Sequence, residues 1–327
     1  MLMKQKLFSI LALLLMAATG AWAQTYTVTL KEGTEDADKW TISDGTKSAN
    51  GATGFTGLNG GETVTATYNG TKKVKSVTAV KKAAGTTLNN TTTAWSAGTY
   101  AVPAGGLTYS DAITVSGDVT LVLTDGETLT LNKGISLASG ATLTIQGNGT
   151  MNVNGTNGAD NNTQVPEASA DSGTEAISGS GTVVLTSGTL TATGGKGGNV
   201  DDYMPECKGG HGAAGISCTL IVNGGTVTAT GGNGGSLTSG DGLKGVAGNG
   251  GAGISGALTV NGGTLTATGG DGGAKSNGPA AQAGTNGRGI SSTWTAGTGI
   301  TFSDSANGTT WTANSGTSST QKYVKAE

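Results

Sequence analysis

The chain has 327 residues, of which 12% are charged, 4% are aromatic and 61 are glycine, and its formal net charge is −3. Glycine richness with only 4 prolines excludes collagen, and so low a charge content is unusual for a helical protein. Strand-forming residues, namely threonine, valine, isoleucine and leucine, lie between glycines and asparagines and predict an all-β protein. The excess of acidic over basic residues disfavours nucleic acid as a partner.

Residues 1–23 have the pattern of a secretory signal peptide. Lys4 and Lys6 precede an apolar run that ends at Gly20, and Ala21-Trp22-Ala23 is a small-x-small cleavage sequence. The alternative, a transmembrane anchor, requires a longer apolar run. No cysteine follows the run and no second long apolar run occurs, so we expect a secreted protein, periplasmic or extracellular, that is neither a lipoprotein nor membrane-embedded.

Residues 24–82 alternate like short β-strands separated by glycine and asparagine, which predicts a small antiparallel β module. A cluster of lysines near its end is either a contact for an acidic glycan or a solvated edge that discourages strand pairing. The cluster comprises Lys72, Lys73, Lys75, Lys81 and Lys82. Residues 83–93 are small and polar and predict a linker.

Residues 94–291 contain a repeated motif that predicts stacked parallel coils, beginning with an N-terminal cap. An isoleucine marks each repeat, at Ile113, Ile135, Ile177, Ile216, Ile254 and Ile290. The first interval is about 22 residues, within the range of solenoid repeats, and the later intervals are longer. Leu190 and Ala192 alternate with Thr189, Thr191 and Thr193, so the aliphatic residues should face a core and the threonines should face solvent.

Glycine-rich excursions lengthen the later repeats, at residues 155–174, 194–214, 231–251 and 269–288. Because all leave the coil at the same point, we expect loops that form a functional face. The alternative is that each excursion is a second, poorly packed coil, and the scarcity of apolar residues argues against it. Residues 292–327 break the period and predict a C-terminal β cap, with Trp294, Phe302 and Trp311 covering the open end.

Cys207 and Cys218 are the only cysteines, and in a secreted protein they predict a disulfide that tethers one excursion. The alternatives are a metal site that includes His211, which needs further ligands, or two thiols. Asp201 and Asp202 are candidate calcium ligands, weighed against solvated loop charges. The sequence contains a single histidine and lacks the motif that presents a nucleophilic serine on a sharp turn, so it shows no recognisable set of catalytic residues. We therefore expect neither an enzyme nor a cofactor.

The repeated Gly-Ile-Ser and Leu-Thr-Val-Asn-Gly-Gly-Thr-Leu-Thr-Ala-Thr-Gly-Gly sequences resemble the carbohydrate-binding right-handed parallel β-helix proteins secreted by polysaccharide-degrading and gut bacteria. The resemblance covers about residues 108–292. Residues 26–40 and 70–80 are similar to β repeat modules of surface proteins in Gram-negative gut anaerobes. The resemblance implies a right-handed parallel β-helix that binds acidic polysaccharide or cellulose, with calcium in some members, although this chain lacks an obvious acidic calcium cluster.

The sequence therefore predicts a non-catalytic, secreted or cell-surface protein whose partner is a polysaccharide or surface glycan. Tyr203, Trp294 and Trp311 are the candidate sugar-stacking platforms, weighed against the alternative that the tryptophans belong to the core of the cap. Two other functions remain open, a structural adhesin or spacer of the cell surface, and ice binding by the regular columns of threonine.

Overall fold

The computed structural model describes residues 85–327 except 124–125, 164–166, 201–205, 239–243 and 279, together with the backbone of five strands nearer the N-terminus. The predicted signal peptide lies outside the described residues. The described residues form strands, turns and loops, and no helix. The described residues therefore include no helix that could span a membrane. The chain divides into two compact units, residues 1–85 and 86–327, and each is described by itself.

The described part of the first unit comprises five strands, and their pairings are antiparallel. β1 pairs with β5, and β2 lies between β3 and β4. The bounds are β1 Thr25–Leu30, β2 Trp40–Ser43, β3 Ser48–Asn50, β4 Thr65–Tyr68 and β5 Val77–Lys82.

The second unit is a stack of coils in which the chain passes in turn through three parallel sheets, named A, B and C. Sheet A contains β7 Ala94–Trp95, β10 Ile113–Val115, β13 Ile135–Leu137 and β16 Ile177–Gly179. Sheet B contains β6 Thr86–Thr87, β8 Gly98–Ala101, β11 Asp118–Leu123, β14 Thr142–Gly147, β17 Thr182–Leu185, β19 Thr219–Val222, β21 Leu258–Val260 and β23 Trp294–Ala296. Sheet C contains β9 Leu107–Tyr109, β12 Thr128–Leu131, β15 Thr150–Asn154, β18 Thr189–Thr193, β20 Thr226–Thr230 and β22 Thr264–Thr268.

The isoleucine phasing of the repeats is confirmed by the strand register. Ile113, Ile135 and Ile177 occupy matching positions in sheet A, and single parallel bridges continue the column through Ile216, Ile254 and Ile290. All six side chains are 2% exposed or less. Burying an aliphatic side chain of this size is worth about 1.5–3 kcal/mol. Because each strand is short, this burial is gained only when neighbouring coils stack.

The linker predicted at residues 83–93 is shorter than expected. Thr86 and Thr87 pair in parallel with Tyr100 and Ala101 and so form the first strand of sheet B. Leu88, which follows them, is 4% exposed and belongs to the main core. Strand pairing and the burial of Leu88 therefore attach this polar stretch to the stack.

The C-terminal residues form three antiparallel strands, β24 Phe302–Ser305, β25 Thr312–Asn314 and β26 Tyr323–Ala326. β26 pairs antiparallel with β22, so sheet C ends in a reversed strand. Val324 and Ala326 of this strand are buried in the main core. The reversed strand thus covers the last coil on the side of sheet C.

Candidate functional site

The glycine-rich excursions stack into a second ordered array beside the coils, here called the glycine array. Parallel bridges connect Asn161 to Val200 and Val200 to Leu237 on the outgoing halves of the excursions. On the returning halves, bridges connect Lys208 to Ser169 and to Val246. The expectation of separate loops is therefore wrong, and the alternative of a second coil is closer to the structure. Repeated backbone hydrogen bonds connect the layers of this array, and a small buried cluster that includes Val200 and Leu237 packs at its outer end.

The hydrogen bonds of the glycine array repeat every three residues. The N–H of Gly194 donates to Thr230 at the end of β20, and those of Gly197 and Val200 donate to the following excursion. The N–H groups of Gly195 and Gly198 donate to the preceding excursion. Three residues per turn is the period of the polyproline II conformation. The runs pass so close that a Cβ atom on Gly198 would lie 2.0 Å from a backbone carbonyl oxygen. Glycine is therefore required by close approach at these positions.

Polar side chains of the array accept backbone hydrogen bonds from the next layer. Asn157 Oδ1 accepts from the N–H of Lys196 at 2.9 Å, and His211 Nδ1 accepts from the N–H of Asn249 at 2.9 Å. The Nδ1 atom of His211 therefore has a structural hydrogen-bond partner. Within the described residues, no group of three or more acidic, histidine or cysteine side chains could hold a metal ion. The calcium candidates Asp201 and Asp202 lie outside the described residues.

The predicted disulfide between Cys207 and Cys218 is not formed. Cys207 is buried in a small cluster of the glycine array with Val200 and Leu237, whereas Cys218 is buried in the main core. The two thiols are thus held in different apolar clusters by the stacking of their own segments. Burial raises the pKa of the Cys218 thiol to about 11. The thiolate that forms disulfides is accordingly disfavoured at this position.

The aromatic candidates differ in position. Trp294 is only 3% exposed and stacks on Phe302 with ring centroids 4.7 Å apart, so its ring is not available to a sugar. This corrects the prediction, because Trp294 pairs with the core position Leu258 in sheet B. Trp311 is half-buried, and Lys325 Nζ lies 5.4 Å from the centroid of its ring. Tyr203 lies outside the described residues.

The outer surface of sheet C carries three straight columns of threonine and asparagine, here called the threonine face. The first column is Thr128, Thr150, Thr189, Thr226 and Thr264; the second is Thr108, Thr130, Asn152, Thr191, Thr228 and Thr266; the third is Asn154, Thr193, Thr230 and Thr268. The six strands β9, β12, β15, β18, β20 and β22 contain no charged residue. The threonine face is therefore a large, regular and uncharged surface.

Tyr323 and Lys325 of the reversed strand β26 extend the threonine face. They pair directly with Thr268 and Thr266, and directly opposed residues of an antiparallel pair have their side chains on the same side of the sheet. Tyr323 is half-buried, with Lys322 Nζ 5.3 Å from its ring centroid. Because Trp311 contacts Lys325, two aromatic rings lie at the C-terminal end of the face. Sequence reasoning missed Tyr323, although alternation with buried Val324 and Ala326 is a signal for its outward position.

The polar groups of the threonine columns are largely available to a ligand. The Thr264 hydroxyl donates to the Thr226 hydroxyl at 3.2 Å. The other column side chains make no hydrogen bond to any described residue. An asparagine amide has two donor hydrogens and an acceptor oxygen, so Asn152 and Asn154 can each pair with two neighbouring hydroxyl groups. The face thus offers repeated donors and acceptors at fixed intervals.

Sheet B carries a threonine column too, but its outer surface is different. Thr142, Thr182 and Thr219 lie in register, and beside them lie Val184 and Ile221, which are half-buried. This surface is therefore half apolar, whereas the threonine face is polar in all three columns. The threonines of sheet B provide matched controls of the same residue type on the same stack.

Comparisons with protein-family models, with curated proteins and with solved structures gave no match. The candidate site therefore rests on the residues of this chain, and the threonine face presents repeated polar groups that are available to a partner.

Proposed function

We propose that this chain is a non-catalytic polysaccharide-binding protein and that the threonine face is its binding surface. The single observation that carries this proposal is the set of three polar columns, which have no charge and almost no internal hydrogen bonds. A polysaccharide presents hydroxyl groups at a regular interval, and each can donate and accept a hydrogen bond. A regular array of hydroxyl and amide groups is the complementary surface.

The electrostatics favour a neutral polysaccharide over the acidic one that the family resemblance implies. A chain of carboxylates gains affinity from cations placed along its path. The strands from β9 to β22 of sheet C supply none, and Lys325 lies at one end of the face only. A neutral polymer loses no charge hydration on such a surface.

Two further features agree with the proposal. Tyr323 and Trp311 are partly exposed at the end of the face, where apolar ring surface can pack against the C–H groups of a sugar ring. The signal-like residues 1–23 favour export, so we expect the protein to act in the periplasm, outside the cell or at its surface. We also infer that the coils form a right-handed parallel β-helix, because crossovers between parallel strands of one sheet are almost always right-handed.

Retention on a panel of insoluble polysaccharides tests the proposal. We expect the unmodified protein to be retained on at least one neutral polymer, and a Thr191→Glu, Thr228→Glu variant to lose about tenfold or more in affinity. Thr182→Glu, Thr219→Glu on sheet B is the matched control, because it places the same charges on another sheet of the stack. Equal retention of both variants would contradict the assignment of the site, and no retention of the folded unmodified protein would contradict the function.

Ice binding is a second candidate on the same surface. The observation that favours it is the Thr-x-Thr-x-Thr sequence that recurs without change of spacing in β18, β20 and β22. Thermal hysteresis in a freezing solution distinguishes it from polysaccharide binding. A folded protein that shows neither activity would instead fit the structural adhesin or spacer.

A further inference from the structure

We propose that the polysaccharide lies along the threonine columns, parallel to the stacking axis, and is bound through internal sugar units rather than through a chain end. This inference rests on the proposed function and concerns the same face. It specifies a binding mode, side-on and repeated from coil to coil, which makes the length of the ligand the main determinant of affinity.

The repetition of the face runs along the columns and not across them. Thr191, Thr228 and Thr266 pair in direct register, and each has a threonine two residues away on either side along its strand. A ligand shifted by one coil therefore meets the same set of groups. A ligand shifted along a strand leaves the polar surface, because each strand carries at most three outward polar residues.

The dimensions of the face also favour the axial direction. Adjacent strands are about 4.8 Å apart, so the five strands from β12 to β22 span roughly 19 Å along the columns. Thr189 to Thr193 spans about 13 Å across them, at about 3.3 Å per residue. An axial chain can thus contact more sugar units than a transverse one, and it meets a hydroxyl or amide in every coil.

The threonine columns lie on the outer surface of a sheet, which does not by itself surround a terminal sugar. A cavity of about 530 Å³ is present in the C-terminal cap, but it is lined by Trp294, Ala296, Phe302 and neighbouring residues, none of which belongs to the columns. A pocket that recognises a chain end must surround the terminal sugar. The open outer surface of sheet C instead admits a chain from the side, in any of several equivalent registers.

A length series of neutral oligosaccharides, taken from the polymer that retains the protein, tests this mode by calorimetry. We expect affinity to rise about tenfold or more from disaccharide to pentasaccharide and then to level off. Thr191→Arg places a bulky side chain within the second column, leaving three column residues on one side and two on the other, and should move this plateau to shorter oligosaccharides. Thr219→Arg, which places the same side chain on sheet B, is the matched control and should change pentasaccharide affinity by less than about threefold.

The two other binding modes predict different results. If the chain lies across the strands, Thr191→Arg leaves the plateau length unchanged and lowers only the number of oligosaccharides bound per protein. If a chain end is recognised, chemical capping of that end abolishes binding and affinity does not rise with length. Either result overturns the axial mode while leaving polysaccharide binding in place. Failure of the unmodified protein to bind any neutral polymer overturns both proposals.

Discussion

Gly235 passes so close to Gly198 in the preceding excursion that a Cβ atom on Gly235 would lie 1.8 Å from the carbonyl oxygen of Gly198. The N–H of Gly235 meanwhile donates to the carbonyl oxygen of Gly210 at 2.8 Å. The glycine array is thus packed backbone against backbone, and its stability depends on the absence of side chains at these positions.

Gly235→Ala should therefore destabilise the protein. Since neither backbone segment can move without breaking hydrogen bonds, we expect a loss of about 1–3 kcal/mol in the free energy of unfolding, measured by urea titration. Gly316→Ala is the control, because the nearest atom to its added Cβ is a side-chain oxygen of Asn314 at 3.1 Å. Equal stability of the two variants would show that the array is not close-packed.

The division of each strand into inward and outward residues gives a second prediction. Leu190 is fully buried in the core, and its neighbour Thr191 is half-buried on the threonine face. Leu190→Ala should lower the free energy of unfolding by about 2–5 kcal/mol, since it leaves a cavity. Thr191→Ala should change it by no more than about 0.5 kcal/mol. A reversal of this order in thermal or urea unfolding would mean that the strand register is wrong.

The state of the cysteines gives a third prediction. With its pKa raised to about 11 by burial, the Cys218 thiol should stay protonated at pH 8, where an ordinary thiol is partly ionised. We expect iodoacetamide to leave Cys218 unmodified in the folded protein and to modify it fully in denaturant, as read by mass spectrometry. A peptide linking Cys207 to Cys218 in a non-reduced digest would contradict the separate burial of the two thiols.

The C-terminal cap gives a fourth prediction, which concerns the ion pair between Lys322 and Asp271. Burial opposes the charge of Lys322, but the hydrogen bond and the negative charge of Asp271 outweigh it and raise the pKa of Lys322 above its ordinary value. The pair therefore stabilises the folded state at neutral pH, and this contribution is lost as pH rises through the folded pKa of Lys322. Because Asp271 is 61% exposed, Asp271→Asn should cost less than about 1 kcal/mol at pH 7.

The same variant should match the unmodified protein in strongly alkaline solution, and urea titrations at both pH values check this. Val324→Asp is the comparison, since Val324 is a fully buried, inward-facing residue of β26. An unpaired buried carboxylate should cost about 3 kcal/mol or more. If Asp271→Asn proved the more damaging of the two, the cap would depend on the ion pair rather than on the packing of its reversed strand.

The coil core was predictable from the sequence because its signal is local. Leu190 and Ala192 alternate with threonine, and the recurring isoleucine sets the phase, so inward and outward positions follow from a period of two. The same spacing could have placed Trp294 in the core. Trp294 follows Ile290 by four residues, as Leu258 follows Ile254, and Trp294 pairs with Leu258 in sheet B.

The glycine array and the end of the threonine face were harder to predict. The array is stabilised by backbone hydrogen bonds between segments far apart in the chain, such as the bond from Gly197 to Asn233. Because these bonds do not depend on apolar side chains, the sequence of the array shows little hydrophobic periodicity. Its one signal is the Gly-Gly-x period of three at Gly194 to Gly198, which is the period of polyproline II. Tyr323 reaches the face only because β26 pairs antiparallel with β22, and no local pattern specifies that partner.

The most direct test of polysaccharide binding by the threonine face is a titration of the protein, labelled at its threonine methyl groups, with the retained neutral oligosaccharide, followed by NMR. We expect saturable shifts of Thr191, Thr228 and Thr266 on sheet C, with Thr182 and Thr219 on sheet B unchanged. Shifts confined to the sheet B threonines, or equal shifts on both sheets, would contradict the assignment of the threonine face as the binding surface.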